Sequence, residues 1–287
     1  MSPIPDIDNL YVVLVSARNP LNIGAAARAM SNFAFSYLRV VTPYGPAYRE
    51  ARSAIGASSV LAKAEEYKTL AEAVADCALV VGTTAVRHRG LRHPLYRLED
   101  GAKIICKLLA SGEVSTHKTQ RKKSPRLRVS QNRVALLFGS EKFGLTNEDL
   151  SHCNWLLHIP TSEQNISMNL GQAVAVSLYE LIRRTKSDLS SRSKNRSSDT
   201  PKVATKFGSK FAKPTEKPRP ATAGELERFT AVLTEALSAS GFLDLRKVAD
   251  ANERIRRLVR RLNLPSRDAD MWTGIMRQIV WKLRGKA

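Results

Sequence analysis

Three short stretches of the 287-residue chain hold polar side chains at spacings that could do chemistry. The first, NPLNIGAAARAM at 19–30, follows an apolar run and opens a helix. Asn22 suits a helix cap, Gly24 lets a ligand or backbone come close, and Arg28 adds a guanidinium about one turn later. A helix start beside an arginine makes an anion site, although a capped helix with a surface arginine would read the same way. The second, FGSEKFGLTNEDL at 138–150, nearly fits the phosphate-cradling pattern GxxxxGK[ST]: Gly139, Gly144 and Thr146 are in place. The lysine position is Leu145, which removes the contact to the outer phosphates and excludes an ATPase or GTPase. Two glycines around Glu141 suit a tight backbone wall against a flat or uncharged ligand. The third, IPTSEQNISMNLGQAVAV at 159–176, runs from a strand end through a polar loop into a helix, with Ser167 and Asn169 placed to cap it.

Those loops need a scaffold, and the apolar pattern predicts one. LYVVLV (10–15), YLRVV (37–41), ALVVGT (78–83), RVALLFG (133–139) and WLLHIP (154–159) read as buried strands. Helical stretches at 22–34, 47–62, 69–77, 99–111 and 167–183 alternate with them, and a short helix opens at TNEDL. Alternation of this kind predicts an α/β fold, a mostly parallel sheet with helices on both faces. Residues 186–221, rich in Ser, Lys, Thr and Pro, read as a basic linker. Beyond them, stripes at Leu226/Phe229/Leu233/Leu237, Ile255/Leu258/Val259/Leu262 and Trp272/Ile275/Met276/Ile279 predict three helices. The organisation is thus 1–185 catalytic, 186–221 linker and 222–287 helical extension.

The net charge of +20 is concentrated: residues 117–133 carry seven Lys and Arg with no acid, and 183–219 carry twelve against three acids. Such blocks favour a polyanion, because each phosphate neutralised releases counterions. The Arg87-His88-Arg89 and Arg92-His93 cluster and the arginine-rich stretch 253–262 are further RNA-contact candidates. Neither block has an amphipathic apolar face, which disfavours membrane binding. Three scattered cysteines exclude a disulfide framework, and five histidines show no metal-ligand spacing. With no signal-like or spanning segment, a cytoplasmic protein is expected.

In order and combination, Asn22-x-Gly24-x-x-x-Arg28, Phe138-Gly139-x-Glu141-x-x-Gly144-Leu145 and Ser167-x-Asn169-Leu170 resemble the three motifs of the SPOUT class of RNA methyltransferases. The resemblance is strong over residues 8–184 and leans toward the tRNA 2′-O-methyltransferases. It implies a C-terminal deep trefoil knot, which chain-connection rules would not suggest, and a homodimer whose sites are completed across the interface. It implies S-adenosyl-L-methionine as cofactor, without metal, walled by Thr83, Thr84, Ala85, Gly139, Ile159, Ile166, Ser167 and Met168. The implied reaction is methyl transfer to a ribose 2′-hydroxyl of tRNA, on cytidine or uridine at nucleotide thirty-two of the anticodon loop.

Among the implied catalytic residues, Arg28 is the principal one. A guanidinium is a poor base at neutral pH, so its expected role is electrostatic: fixing a phosphate and stabilising a developing alkoxide. Ser167 and Asn169 are expected to orient ribose or cofactor, and Asn22 and Glu141 to hold Arg28 and the loops. Relatives often carry an acid where this chain has Ser16 and an arginine where it has Ser140, differences that bear on substrate. The alternatives are the same chemistry on another tRNA or rRNA nucleotide, or a non-catalytic RNA-binding protein on the same fold.

Overall fold

The computed structural model describes residues 7–43, 59–85, 93–110, 132–194, 219–243 and 248–285, with positions 45, 48 and 51 between. Seven strands form one sheet: β1 (Leu10–Val15), β2 (Tyr37–Val41), β3 (Glu65–Tyr67), β4 (Leu79–Thr83), β5 (Leu95–Arg97), β6 (Val134–Phe138) and β7 (Trp155–His158). Their order is β3-β2-β1-β6-β4-β7-β5, and each neighbouring pair is parallel. The five strands predicted from apolar runs are present. The other two are three-residue edges, Glu-Glu-Tyr and Leu-Tyr-Arg, too short and too mixed in polarity to give an apolar signal.

Every residue of β1 and of β6 is buried, as expected where helices cover both faces of a parallel sheet. One face packs on α1 (Pro20–Asn32), α2 (Ser59–Ala62), α4 (Leu98–Ala110) and α6 (Leu170–Lys194), through a core including Ile23, Met30, Leu136, Phe138, Ile105 and Leu178. Gly171 lets α6 approach α1, since a Cβ there would lie 2.6 Å from the Ala25 Cβ. The other face has smaller covers: α3 (Leu70–Ala73), α5 (Asn147–Ser151) and the first turn of α7 (Ala223–Ala239).

The helical extension is therefore joined to the sheet. The amides of Ala223 and Gly224, which would otherwise be unpaired at the start of α7, donate to the carbonyls of Cys77 at 2.7 Å and Ala75 at 2.8 Å. A capping box between Thr222 and Glu225 closes the same turn. α8 (Val248–Arg261) and α9 (Ser266–Arg284) pack on α7 around Leu226, Phe229, Ile255, Val259 and Ala269. The predicted stripes are only half used, because Leu258, Leu262, Trp272, Ile275 and Ile279 stay exposed.

Helix α6 continues to Lys194, past residue 185 and into the stretch read as linker; Ser and Lys do not forbid a helix once its apolar face is seated. Most of the predicted 47–62 helix, the basic block up to residue 131, linker residues 195–218 and Arg87 to Arg92 lie outside the described residues. No described helix is long and apolar enough to cross a membrane.

Candidate active site

The carboxylate of Glu141 joins the three polar loops. It sits in the turn after β6 and reaches back to the start of α1. One oxygen accepts the Arg18 amide at 3.2 Å; the other accepts the Asn19 amide at 3.0 Å and the Asn22 side-chain amide at 3.1 Å. Asn22 in turn accepts a 2.7 Å bond from the Asn169 Nδ2, whose Oδ1 takes the Gly171 amide at 2.9 Å. Partial burial pushes the Glu141 carboxyl up. The bonds from its own amide, Asn22, Asn19 and Arg18 outweigh that and hold it below its ordinary value.

Sequence reasoning placed two of these side chains in different roles. The cap of α1 is Asn19, which accepts the Leu21 amide at 2.9 Å; Pro20 at the first helical position was the signal for it. Freed from capping, Asn22 bridges Glu141 and Asn169. Glu141 holds the loop ahead of α1, not Arg28. Asn169 caps α6 as expected, whereas Ser167 stays exposed with no such bond among the described residues.

Arg28 lies on the exposed stripe of α1 formed by Leu21, Ala25, Arg28 and Asn32. Six residues separate it from Asn22, about 9 Å along the axis. It makes no ion pair with any described residue, so its charge is available to an incoming anion.

Three adjacent parallel strands, β6, β4 and β7, end side by side at Phe138, Thr83 and His158. Gly139, Thr84, Ala85 and Ile159 follow directly. The Thr83 hydroxyl donates to the Leu137 carbonyl at 2.8 Å, and the Thr84 amide donates to that of Leu157 at 2.9 Å. On the third loop the Thr161 hydroxyl holds the Ile166 carbonyl at 3.0 Å, fixing the run into Ser167 and Met168. Gly139 has no substitute: a Cβ would lie 2.1 Å from the Gly144 backbone, because Ser140 and Gly144 bridge across the turn and Gly144 takes a positive φ of 67°. The resulting rim offers peptide groups, methyls and aliphatic side chains at the carboxyl edge of the sheet. That surface suits adenosine and a sulfonium, which carry no phosphate, so the residues present fit S-adenosylmethionine.

The arginine-rich α8 turns its charges inward. Arg256 forms a forked pair with Glu227 and donates to the Ser151 hydroxyl of α5 at 2.9 Å. Arg260, 3% exposed, lies 3.7 Å from the same carboxylate, and burial pulls it down to about 10. Arg257 pairs with Glu253. Burial together with Arg256 and Arg260 pulls His152 down to about 3, and burial with Arg257 and Arg261 pulls His93 down to about 4. The RNA grip expected for 253–262 is thus corrected for Arg256, Arg257 and Arg260, which tie α8 to α7 and α5 or pair within their own helix. Arg254 and Arg261 stay exposed. The misreading arose because periodicity marks the apolar stripe of a helix and not which of its cations find acids.

This assembly of α/β sheet, carboxyl-edge rim and three joined loops defines an RNA-methylase architecture. The model of the SpoU rRNA Methylase family matches residues 9–179, and the chain belongs to that family. Among its relatives is the tRNA (cytidine/uridine/adenosine-2′-O-)-methyltransferase TrmJ of Pseudomonas aeruginosa, 34% identical across 97% of this chain and 96% of its own length. The tRNA (cytidine/uridine-2′-O-)-methyltransferase TrmJ of Salmonella typhimurium is 30% identical across 98% and 100%. The crystal structure of TrmJ from Z. mobilis superposes with a TM-score of 0.67 at 27% identity, covering 94% of this chain and 98% of that one.

Proposed function

We propose that this protein transfers the methyl group of S-adenosylmethionine to a ribose 2′-hydroxyl of tRNA, on a cytidine or uridine at nucleotide thirty-two of the anticodon loop. The observation that carries the reading is the hydrogen-bond chain Glu141–Asn22–Asn169, which ties three loops distant in sequence into one constellation at the start of the helix that carries Arg28. Support comes also from the two TrmJ relatives, named for this chemistry and matched over nearly their whole lengths.

When bound, S-adenosylmethionine supplies a methyl group on a sulfonium sulfur, open to in-line attack by oxygen. Thr83, Thr84, Ala85, Gly139, Ile159, Ile166, Ser167 and Met168 would hold it. Arg28 binds a substrate phosphate and sets its charge near the developing alkoxide, in a homodimer whose partner supplies the rest of the pocket. The hydroxyl proton passes to a phosphate oxygen or to water, since a guanidinium is a poor acceptor. Ser167 and Asn169 orient the ribose; Glu141 and Asn22 keep the loops in place. The reading carries with it the trefoil knot, a 1–185 catalytic segment and action in the cytoplasm on tRNA gripped by the basic stretches.

Mass spectrometry of tRNA nucleosides from cells with and without the protein tests this. Loss of a 2′-O-methylated pyrimidine from the anticodon loop is the expected result; an unchanged nucleoside profile would overturn the reading.

A further inference from the structure

The turn that carries Glu141 also carries Phe143, a large apolar side chain 61% exposed although its backbone is tightly held. Ser140 and Gly144 pair across the turn at 2.8 Å, the Phe143 amide donates to the Ser140 hydroxyl, and the Glu141 carboxylate anchors the turn to Arg18 and Asn19. Exposure here is built in by the backbone. Beside the ring stands Lys142, whose ammonium lies 5.1 Å from the Phe143 ring centroid; Arg18, whose amide is held by Glu141 on the same turn, has an exposed side chain. Neither cation is ion-paired with a described residue, so an aromatic face stands next to one unneutralised charge, with a second on the loop that its turn is bonded to.

We propose that Phe143 is a substrate-positioning residue, a platform on which a splayed nucleobase of the substrate RNA stacks while Lys142 and Arg18 take flanking phosphates. The inference rests on the proposed RNA 2′-O-methylation and extends it. A nucleotide of the anticodon loop is unpaired and can be splayed out of its stack, and an unstacked base needs a π-face to replace its lost neighbours. Phenylalanine offers that face to any base, and the cations beside it suit the RNA backbone. An apolar protein partner would gain nothing from the two charges, which is why RNA is the favoured occupant. The glycine at position 144 keeps the ring at the tip: its positive φ reverses the chain at once after Phe143.

The test compares Phe143→Ala, Phe143→Leu and Phe143→Trp in the full-length protein. Calorimetry gives S-adenosylmethionine affinity, sedimentation gives oligomeric state, and single-turnover methylation of tRNA gives rate and affinity. Phe143→Ala should lower methylation efficiency roughly tenfold to a hundredfold, mainly through weaker RNA binding. Phe143→Leu should be nearly as poor, and Phe143→Trp should recover most of the loss. Cofactor affinity and sedimentation should not move. Leucine performing as well as phenylalanine would overturn stacking. Weakened cofactor binding would make the residue part of the cofactor wall, and a changed oligomeric state would make it a protein contact; either result sinks the proposal. A wild-type protein inactive on every tRNA would count against the function reading instead. Gel-shift affinity for an anticodon stem-loop RNA would then judge Phe143 alone, with the same ranking of variants expected.

Discussion

Arg28 and Arg39 use the same side chain in opposite ways. Arg39, in β2 with its side chain 5% exposed, is surrounded by groups that neutralise it. Its guanidinium pairs with both oxygens of Asp76 at 2.6 and 2.9 Å, with Glu65 at 3.0 Å and with the Ala73 carbonyl at 2.7 Å, and it stacks 3.9 Å from the Tyr11 ring. Arg133 closes the cluster by pairing with Asp76. Arg28 is exposed on α1 and has no acid among the described residues. A buried cation must be matched, because an unpaired charge in the interior costs several kcal/mol, whereas an exposed one is hydrated and free to meet an anion. One arginine therefore belongs to stability, and the other is left with the free charge that the proposed reaction needs.

The sharpest way to break that contrast is Arg28→Ala. Methyl transfer to tRNA, followed by labelled methyl incorporation, should fall about a hundredfold to a thousandfold, the range for removing a positioned charge-stabilising group. Thermal stability should be unchanged within about 0.5 kcal/mol. Retained activity, or a marked drop in melting temperature, would end the division of labour.

Asp76→Asn probes the other side. Removing the shared anion takes the acid from Arg133 and leaves buried Arg39 with Glu65 alone, and urea titration should show a loss of about 3 kcal/mol. The pH dependence has a defined sign. Burial alone would raise the Asp76 carboxyl, but bonds and charges from Arg39 and Arg133 bring it down from 3.8 to about 2. A carboxyl lowered on folding contributes stability above its unfolded value, lost as pH falls through its folded one. Wild-type stability should therefore decline between about pH 4 and pH 2, and the variant should decline less steeply there. Equal slopes would show that Asp76 does not carry the effect.

A smaller effect is expected at Glu141. Glu141→Ala leaves the Arg18 and Asn19 amides and the Asn22 side chain without their acceptor, so turnover should fall about tenfold while stability drops by roughly 1 kcal/mol. Glu141→Gln should recover part of both, as one oxygen remains. If glutamine is no better than alanine, hydrogen-bond geometry is not what the residue supplies. Smallest of all, Asn19→Ala removes only the cap of α1, for about 1 kcal/mol in chemical denaturation, with activity reduced less than by Glu141→Ala.

Much of this was readable before any coordinates. The central strands announced themselves because residues buried on both faces must be continuously apolar, as in Val134 to Phe138. Asn22, Glu141 and Asn169 stood out as polar residues in loops next to such strands, and the fold brings all three together. What was misjudged follows a pattern. Asn19 and Asn22 are the same residue type and cap equally well, and only Pro20, at the first helical position, tells the two apart. Arg256 and Arg260 looked like an RNA-facing surface because their acceptors, Glu227 and Ser151, lie far away in sequence.

Local chemistry by itself determined the five inner strands, several helices and the identity of the three loops, since hydrophobic periodicity, caps and glycine turns act over a few neighbouring residues. Tertiary structure alone decided that β6 lies between β1 and β4, and which arginines are neutralised. Those outcomes depend on which distant groups become neighbours. Pairing energies are felt only over a few ångströms, so nothing in the order of residues along the chain could reveal them.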